Sequence, residues 1–485
     1  MGEDGLPIRL IKIGLPYILS AITHLINHIF TTSTYPQLWK IGQIIPVPKQ
    51  NKANEPADFR PITILPCLSK VGEMLMAEQI REHFESKKLL SPLQSGFRPG
   101  HSCSTSVMKI MDDIRSEFDQ NFLILLILLD FSKAFDKVDL KMLVEKLGRY
   151  FGFSNFALKL LLSYLSNRMQ RVKVEDRFSS YAKVNSGVPQ GSVLGPLLFT
   201  AFINDIFSVV KHSNIHAYAD DIQIYMGRRV GLIEDLCCRL NEDLQSIHDW
   251  AISNRLTLNS LKSCVLPISK QKIDSSSIPP ILLDSTQLKL VEKVRNLGYV
   301  VNTSLSCADH VNSLVSKIYF TLRNLRMTSE FTPTETKQHL VKQLIMPLIN
   351  YSATVYSKLD SASLHKLQVA FNSATRYVYN IRKYDHLNSW KNKILGCSLE
   401  SYLDIRNCIF LHKLILSKTP PYLFEKLRFS LSSRNNDLII PKFYYQNSER
   451  CFFVNAARKW NSIPTSIREE CESSKFKALI SEHFS

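Results

Sequence analysis

The sequence is poor in glycine and short of acidic residues, and it has no cysteine pair of the C-x-x-C kind. With Gly 16 and Pro 21 in 485 residues, no stretch is a low-complexity repeat, so the chain is expected to fold nearly throughout. The ten cysteines are scattered, apart from adjacent Cys237 and Cys238. That spacing excludes a zinc knuckle and a disulfide rhythm, and it fits a reducing, intracellular compartment. A secretory signal is missing, and the longest apolar run, Phe122 to Leu129, is far too short to cross a bilayer. Apolar residues between Leu15 and Phe30 recur at helical spacing, interrupted by His24, Asn27 and His28. They predict an amphipathic core helix, a soluble chain and no membrane partner. Acids are outnumbered, 43 against 60 Lys and Arg, which leaves a formal charge of +17. A surplus of that size favours a polyanionic partner, because each phosphate neutralised releases condensed counterions.

Hydrophobic residues make up 45% of the chain, enough for two or three domains at this length. Prolines at 36, 46, 48, 56, 61 and 66 keep residues 36–66 extended. Helical patterns follow over 69–85 and, after the turn-rich 91–100, over 102–118. The run 122–129 reads as a strand buried on both faces. Helical periodicity covers 139–167, a Gly/Pro-rich loop spans 187–196 and opens a helix reaching Ile206, and 215–225 reads strand, turn, strand. An amphipathic helix over 232–253 and short strands over 256–301 come next. From about residue 302 the chain turns helix-rich and basic.

Three carboxylates stand out. Asp130 ends the buried strand, where a charge is costly unless compensated. Asp220 and Asp221 sit side by side at the tip of an apolar hairpin and repel each other. An Asp-Asp in a turn is ordinarily only a turn, and an Asp after a strand is commonly a helix cap. Divalent cations offer another resolution: Mg²⁺ takes oxygen ligands from a few carboxylates and substrate phosphates, and two ions roughly 4 Å apart can serve an in-line phosphoryl displacement.

The flanking residues favour the second. Tyr218-Ala219-Asp220-Asp221 resembles the Y-x-D-D box of reverse transcriptases, and Leu129-Asp130-Phe131-Ser132-Lys133-Ala134-Phe135-Asp136 resembles their first metal-binding box. Gly187-Val188-Pro189-Gln190-Gly191-Ser192-Val193-Leu194-Gly195-Pro196-Leu197-Leu198-Phe199 resembles the intervening box in its non-LTR (LINE-type) retrotransposon form. Phe59-Arg60-Pro61-Ile62 and Gln94-Ser95-Gly96-Phe97-Arg98-Pro99 resemble two finger motifs; Leu258-Asn259 with Lys262, and Asn296-Leu297-Gly298, resemble the last two palm motifs. The resemblance implies an α+β right-hand polymerase fold. Residues 1–43 would be a helical extension of the fingers, 44–301 the fingers and an antiparallel palm, and 302–485 a helical thumb and C-terminal region.

By the same resemblance, Asp130, Asp220, Asp221 and the Phe131 carbonyl would hold two Mg²⁺ ions, with Mn²⁺ as a substitute. Phe135 would lie under the sugar and exclude a 2′-hydroxyl, and Gln190 would sit against nucleotide and template. Arg60, then Arg98 and Lys49, would meet the triphosphate, and Lys262 would protonate the leaving pyrophosphate. Asp136 is expected to cap or brace the helix after the strand. Lys317, Arg323, Arg326 and Lys337 would face duplex phosphates from the thumb. The expected partners are an RNA template, a DNA primer and deoxynucleotides, in a ribonucleoprotein of cytoplasm and nucleus; the oligomeric state stays open.

The C-terminal third resembles the segment after the polymerase in the jockey and CR1 groups, most closely over 453–464, then at Ile467-Arg468 and Phe476-Lys477. Full-length elements of this kind carry an apurinic-type endonuclease ahead of the polymerase. Too few residues precede the first finger motif for one, so the chain is expected to be a fragment, a truncated copy or a domesticated remnant. The two readings to separate are therefore an active RNA-directed DNA polymerase and an inactive nucleic-acid-binding remnant.

Overall fold

The run Phe122–Leu129 forms the central strand of a five-stranded sheet. The computed structural model describes residues 2–49, 52–356, 358–387, 389–390, 392–430, 437–441 and 451–484. Antiparallel neighbours of the central strand are Asp221–Arg229 on one side and Cys264–Ile268 on the other. Asn214–Tyr218 pairs antiparallel outside the first, and Lys289–Leu290 pairs parallel outside the second. Side chains of a strand alternate between faces, and here each face has its own core. Leu123, Leu125, Ile127 and Leu129 enter one cluster, with the helices Cys67–Ser86, Leu194–Phe202 and Ile233–Ser253. Ile124 and Leu126 enter the other, under the helix Cys103–Asp119. That helix starts cleanly because the Ser102 side chain accepts from the Thr105 N–H. Burying each Leu or Ile contributes about 2 kcal/mol, which fixes register, since a one-residue slip would exchange the two faces.

A second sheet lies beside the first. Ile41–Pro48 pairs antiparallel with Phe59–Ile64 and parallel with Arg168–Val174. The parallel partner reaches only residues 41–44, so Pro46 and Pro48 fall where the strand has one neighbour and a missing N–H costs little. The boundary drawn at 43/44 falls inside this strand.

The N-terminal helix departs from expectation. It runs Ile8–Thr32, but only Ile26 and Ile29 are buried, and Leu10, Ile13, Tyr17 and Leu19 are exposed. Periodicity shows that a face is apolar; it does not show what covers it. Among the described residues, this is the one helix long and apolar enough to cross a membrane by length and composition.

No break in packing marks residue 302. The hairpin of Lys293–Asn296 and Tyr299–Asn302 leads into the helices Ala308–Arg326, Ser361–Tyr379, Leu399–Ser417, Phe452–Ser462 and Ser473–His483. Their buried side chains, from Val311 to Ile480, join Ile124 and Leu126 in one continuous core.

Candidate active site

Sheet register brings the carboxylates together. The last paired residues of the central ladder are Leu129 and Ile222, so one step further Asp130 stands opposite Asp221. Beyond the strand, 130–132 pairs with 257–259: Asn259 N–H donates to the Asp130 carbonyl at 2.8 Å, and Ser132 N–H to the Thr257 carbonyl at 2.8 Å. These two bonds flank Phe131 and Leu258, a non-hydrogen-bonded pair, so the Phe131 carbonyl points away from that segment. Asp130 N–H donates to Ser263 Oγ at 3.2 Å, a second tie to the same segment.

The Asp220–Asp221 turn is held from below by Gln94, a residue whose role the sequence did not reveal. Gln94 is fully buried, and its Oε1 accepts from Ala219 N–H at 2.9 Å and from Gly96 N–H at 2.7 Å. Ala219 is left-handed, with φ 57°. Gly96 is required here, because a Cβ would lie 2.3 Å from the Ala219 nitrogen. The hints in sequence were the glycine and the place of Gln94 in a finger motif, neither of which names this role.

Electrostatics show that the acids converge. Burial first, then Asp220 and Asp130, raise the Asp221 carboxyl to about 6 against the opposing charge of Arg60. The Asp221 side chain reaches solvent, yet enough protein surrounds it for desolvation to dominate. Asp220 is raised chiefly by burial; its own N–H and Arg60 oppose this and Asp130 adds to it. Arg60 itself is exposed. Lys262 Nζ stands 3.7 Å from Asp130 Oδ2, and 66% of its side chain is exposed. Among the described residues no three His, Cys, Asp or Glu side chains already gather on one metal-binding point. The donor set still suits Mg²⁺, which keeps waters and substrate phosphates among its ligands and needs only a few carboxylates.

Phe135 is half-buried, stacked on Phe199 at 4.3 Å between centroids and edge-on to Phe97 at 6.4 Å. Gln190 Nε2 donates to Asp136 Oδ1 at 2.8 Å, and the Gln190 carbonyl accepts from Thr63 N–H at 2.6 Å. Asp136 therefore does not cap the following helix. Asp139 does so, accepting from Lys141 and Met142 N–H groups at 3.0 Å, while Asp136 orients Gln190. Glu73, fully buried, accepts from Val193 N–H at 2.6 Å and holds the end of the same loop. Beside Gln190 opens a cavity of about 460 Å³, whose lining includes Lys40, Lys133, Arg168 and Lys183.

Other expected contacts are engaged elsewhere. Arg98 pairs with Glu85 at 2.8 Å and donates to the Ser91 carbonyl at 2.8 Å, with 8% of its side chain exposed, so it is not available to a triphosphate. Lys49 Nζ donates to the Ala57 carbonyl at 2.7 Å. Lys337 is buried and donates to Asn380 Oδ1 at 2.6 Å instead of facing phosphate. All three contacts follow from partners that spacing does not reveal. Lys317, Arg323 and Arg326 are exposed on the helix Ala308–Arg326.

Against known families, residues 47–301 match the reverse transcriptase (RNA-dependent DNA polymerase) model, more than half of the chain. The chain belongs to the reverse transcriptase family. The match begins in the last two residues of the strand Ile41–Pro48 and ends in Tyr299–Asn302, so it takes in the whole central sheet of this reverse transcriptase and all three aspartates. Its relatives come from mobile elements. A probable RNA-directed DNA polymerase from transposon BS of Drosophila melanogaster is 27% identical over 374 residues, 74% of this chain and 40% of that protein. The RNA-directed DNA polymerase from mobile element jockey of the same fly is 24% identical over 381 residues, 76% of this chain and 41% of that protein. A Pol polyprotein from the type-1 element R1 of Bradysia coprophila is 26% identical over 365 residues, covering 73% and 35%. This reverse transcriptase thus spans well under half the length of those curated relatives. Among solved structures, apo telomerase from Candida tropicalis aligns with TM-score 0.41 and 13% identity over 84% of this chain and 73% of that one.

Proposed function

We propose that this reverse transcriptase adds deoxynucleotides to a DNA primer 3′-hydroxyl along an RNA template. The observation that carries the reading is the convergence of Asp130, Asp220 and Asp221 at one end of the central sheet, where Asp130 raises the proton affinity of Asp220 and, with Asp220, that of Asp221, and Arg60 opposes both shifts. Two Mg²⁺ ions on these carboxylates and the Phe131 carbonyl, or Mn²⁺ in their place, supply charge neutralisation and activation of the primer hydroxyl.

The chain's own residues do the rest. Arg60 binds the triphosphate through its planar fork. The Phe135 ring, fixed by Phe97 and Phe199, excludes a 2′-hydroxyl. Gln190, oriented by Asp136, abuts the templated nucleotide. As the bond from the primer oxygen to the α-phosphorus forms and the α–β bridge breaks, Lys262 Nζ holds a proton for the departing pyrophosphate, from its place beside Asp130. The formal charge of +17 suits a template–primer duplex.

Purified protein given poly(rA)/oligo(dT), labelled dTTP and Mg²⁺ incorporates label, and Asp220→Asn with Asp221→Asn abolishes incorporation. Folded protein that binds template–primer yet incorporates no more than that double variant refutes the reading.

A further inference from the structure

The C-terminal third has no assigned part in polymerisation, yet it reaches the back of the acidic hairpin. Tyr422 is 6% exposed, and its hydroxyl hydrogen-bonds Ser95 Oγ at 2.8 Å and donates to Thr105 Oγ1 at 3.2 Å. Ser95 Oγ also meets His216 Nε2 at 3.0 Å, and His216 is fully buried in the strand that leads into the acidic turn. The Tyr422 ring packs edge-on to His216, 5.1 Å between centroids.

From Ser95 the connection continues forward. Ser95 N–H donates to the Ala217 carbonyl at 2.8 Å, and Ala217 N–H donates to the Leu93 carbonyl at 3.0 Å. The neighbouring Gln94 holds Ala219 N–H, next to Asp220. Residues 93–96 are therefore gripped from behind by Tyr422 and grip the acidic turn in front. Two further contacts seat the segment. Lys426 Nζ reaches Asp112 at 2.5 Å and Asp113 at 2.6 Å on the helix Cys103–Asp119, and Thr419 lies against Gly100, where a Cβ would come within 2.5 Å of its methyl. Apolar packing alone would attach the C-terminal third, as the shared core already does. The hydroxyls of Ser95, Tyr422 and Thr105 are all partnered, although the buried His216 Nδ1 has no partner among the described residues, and directional bonds between buried groups specify position.

Building on the polymerase reading, we propose that residues 419–426 are a brace that positions the Asp220–Asp221 turn, with Tyr422 acting through Ser95. Tyr422 is a positioning residue: it touches neither substrate nor the reacting atoms.

The test uses the full chain with Tyr422→Phe, Ser95→Ala, the double variant and, as a control for stability alone, Asn461→Ala. Asn461 makes two 2.9 Å bonds to the Leu438 backbone, within the C-terminal third. Primer extension on poly(rA)/oligo(dT) is read together with amide exchange at Ala217 and Ala219. In Tyr422→Phe, kcat falls about three- to tenfold, while KM for dTTP and Kd for template–primer stay unchanged. Exchange at both amides quickens. The double variant loses less than the product of the two single losses, because the Tyr422–Ser95 bond is common to both while the bonds to Thr105 and His216 are not. Asn461→Ala lowers Tm without either effect.

Unchanged exchange in Tyr422→Phe, or unchanged kcat where wild type polymerises, overturns the brace. If Tyr422→Phe does not fold, Ser95→Ala decides by the same readings. If folded wild type extends no primer, the polymerase reading fails, and the exchange measurement still decides the brace.

Discussion

Phe135 illustrates how much one side chain here depends on its neighbours. Its ring is stacked on Phe199 and edged by Phe97, a residue in the left-handed region at φ 59°. A ring held on two sides has no room to swing away from a 2′-hydroxyl. Phe135→Ala is expected to lower the preference for dTTP over UTP about 10- to 100-fold, measured as the ratio of kcat/KM values in primer extension. A ratio unchanged within twofold would show that sugar selection lies elsewhere. Glu117 yields a second prediction, unrelated to catalysis. Its Oε2 is buried with no hydrogen-bond partner among the described residues, and burial, aided by Asp113 and opposed by Arg228, pushes its carboxyl up to about 7. The folded state therefore holds this proton more tightly than the unfolded chain does. Its contribution is favourable below the ordinary carboxylate range and is lost as pH rises toward and through 7. Glu117→Gln should therefore stabilise the protein at pH 8, by about 1–2 kcal/mol after allowing for residual solvent, and gain little at pH 4. Urea melts at the two pH values check this, and equal gains at both would contradict it.

Among the elements, those that were legible in sequence were local. Phe122 to Leu129 is apolar at every position, and the hairpin around Asp220 has apolar strands on both sides, so each declares its form without help from distant residues. The partnerships were not legible. Gln190 meets Asp136 across 54 residues and Gln94 meets Ala219 across 125, and neither spacing leaves a periodic trace. Arg98 looked like a phosphate ligand for the same reason: Glu85, its partner, carries no motif. The N-terminal helix failed differently, because its period was right and its burial was not. Within it, Ile29 is 2% exposed and Tyr17 is 87% exposed. Ile29→Ala should cost about 2–4 kcal/mol, whereas Tyr17→Ser should change stability by less than about 0.5 kcal/mol. Comparable losses on thermal unfolding would mean that the outer turns of this helix are covered in solution.

For the molecule as a whole, the division into polymerase and C-terminal region suggested by composition does not follow the packing. The core that takes in Ile124 and Leu126 of the central strand also takes in Leu411, Phe452 and Phe476. Ending the chain at residue 398 removes those partners from the core they share with the helix Cys103–Asp119, which still covers the sheet face itself. Such a truncation should be insoluble or lack cooperative unfolding, as read by calorimetry, although it retains every residue of the family match. A soluble, cooperatively folding product would show that the palm closes its core without the C-terminal third.

The contact between Ser95 and Tyr422 also sets an order of events in the cell. It spans 327 residues of chain. At roughly 5–20 residues per second, the ribosome needs about 16–65 s to add that length. For the later part of that interval, the 201 residues between Asp221 and Tyr422 or about 10–40 s, the nascent hairpin carries Asp220 and Asp221 but lacks the tyrosine behind it. Translation thus acts as a timer: Asp130, Asp220 and Asp221 are in place well before the hairpin can be secured, and the securing contact waits until Tyr422 has been added.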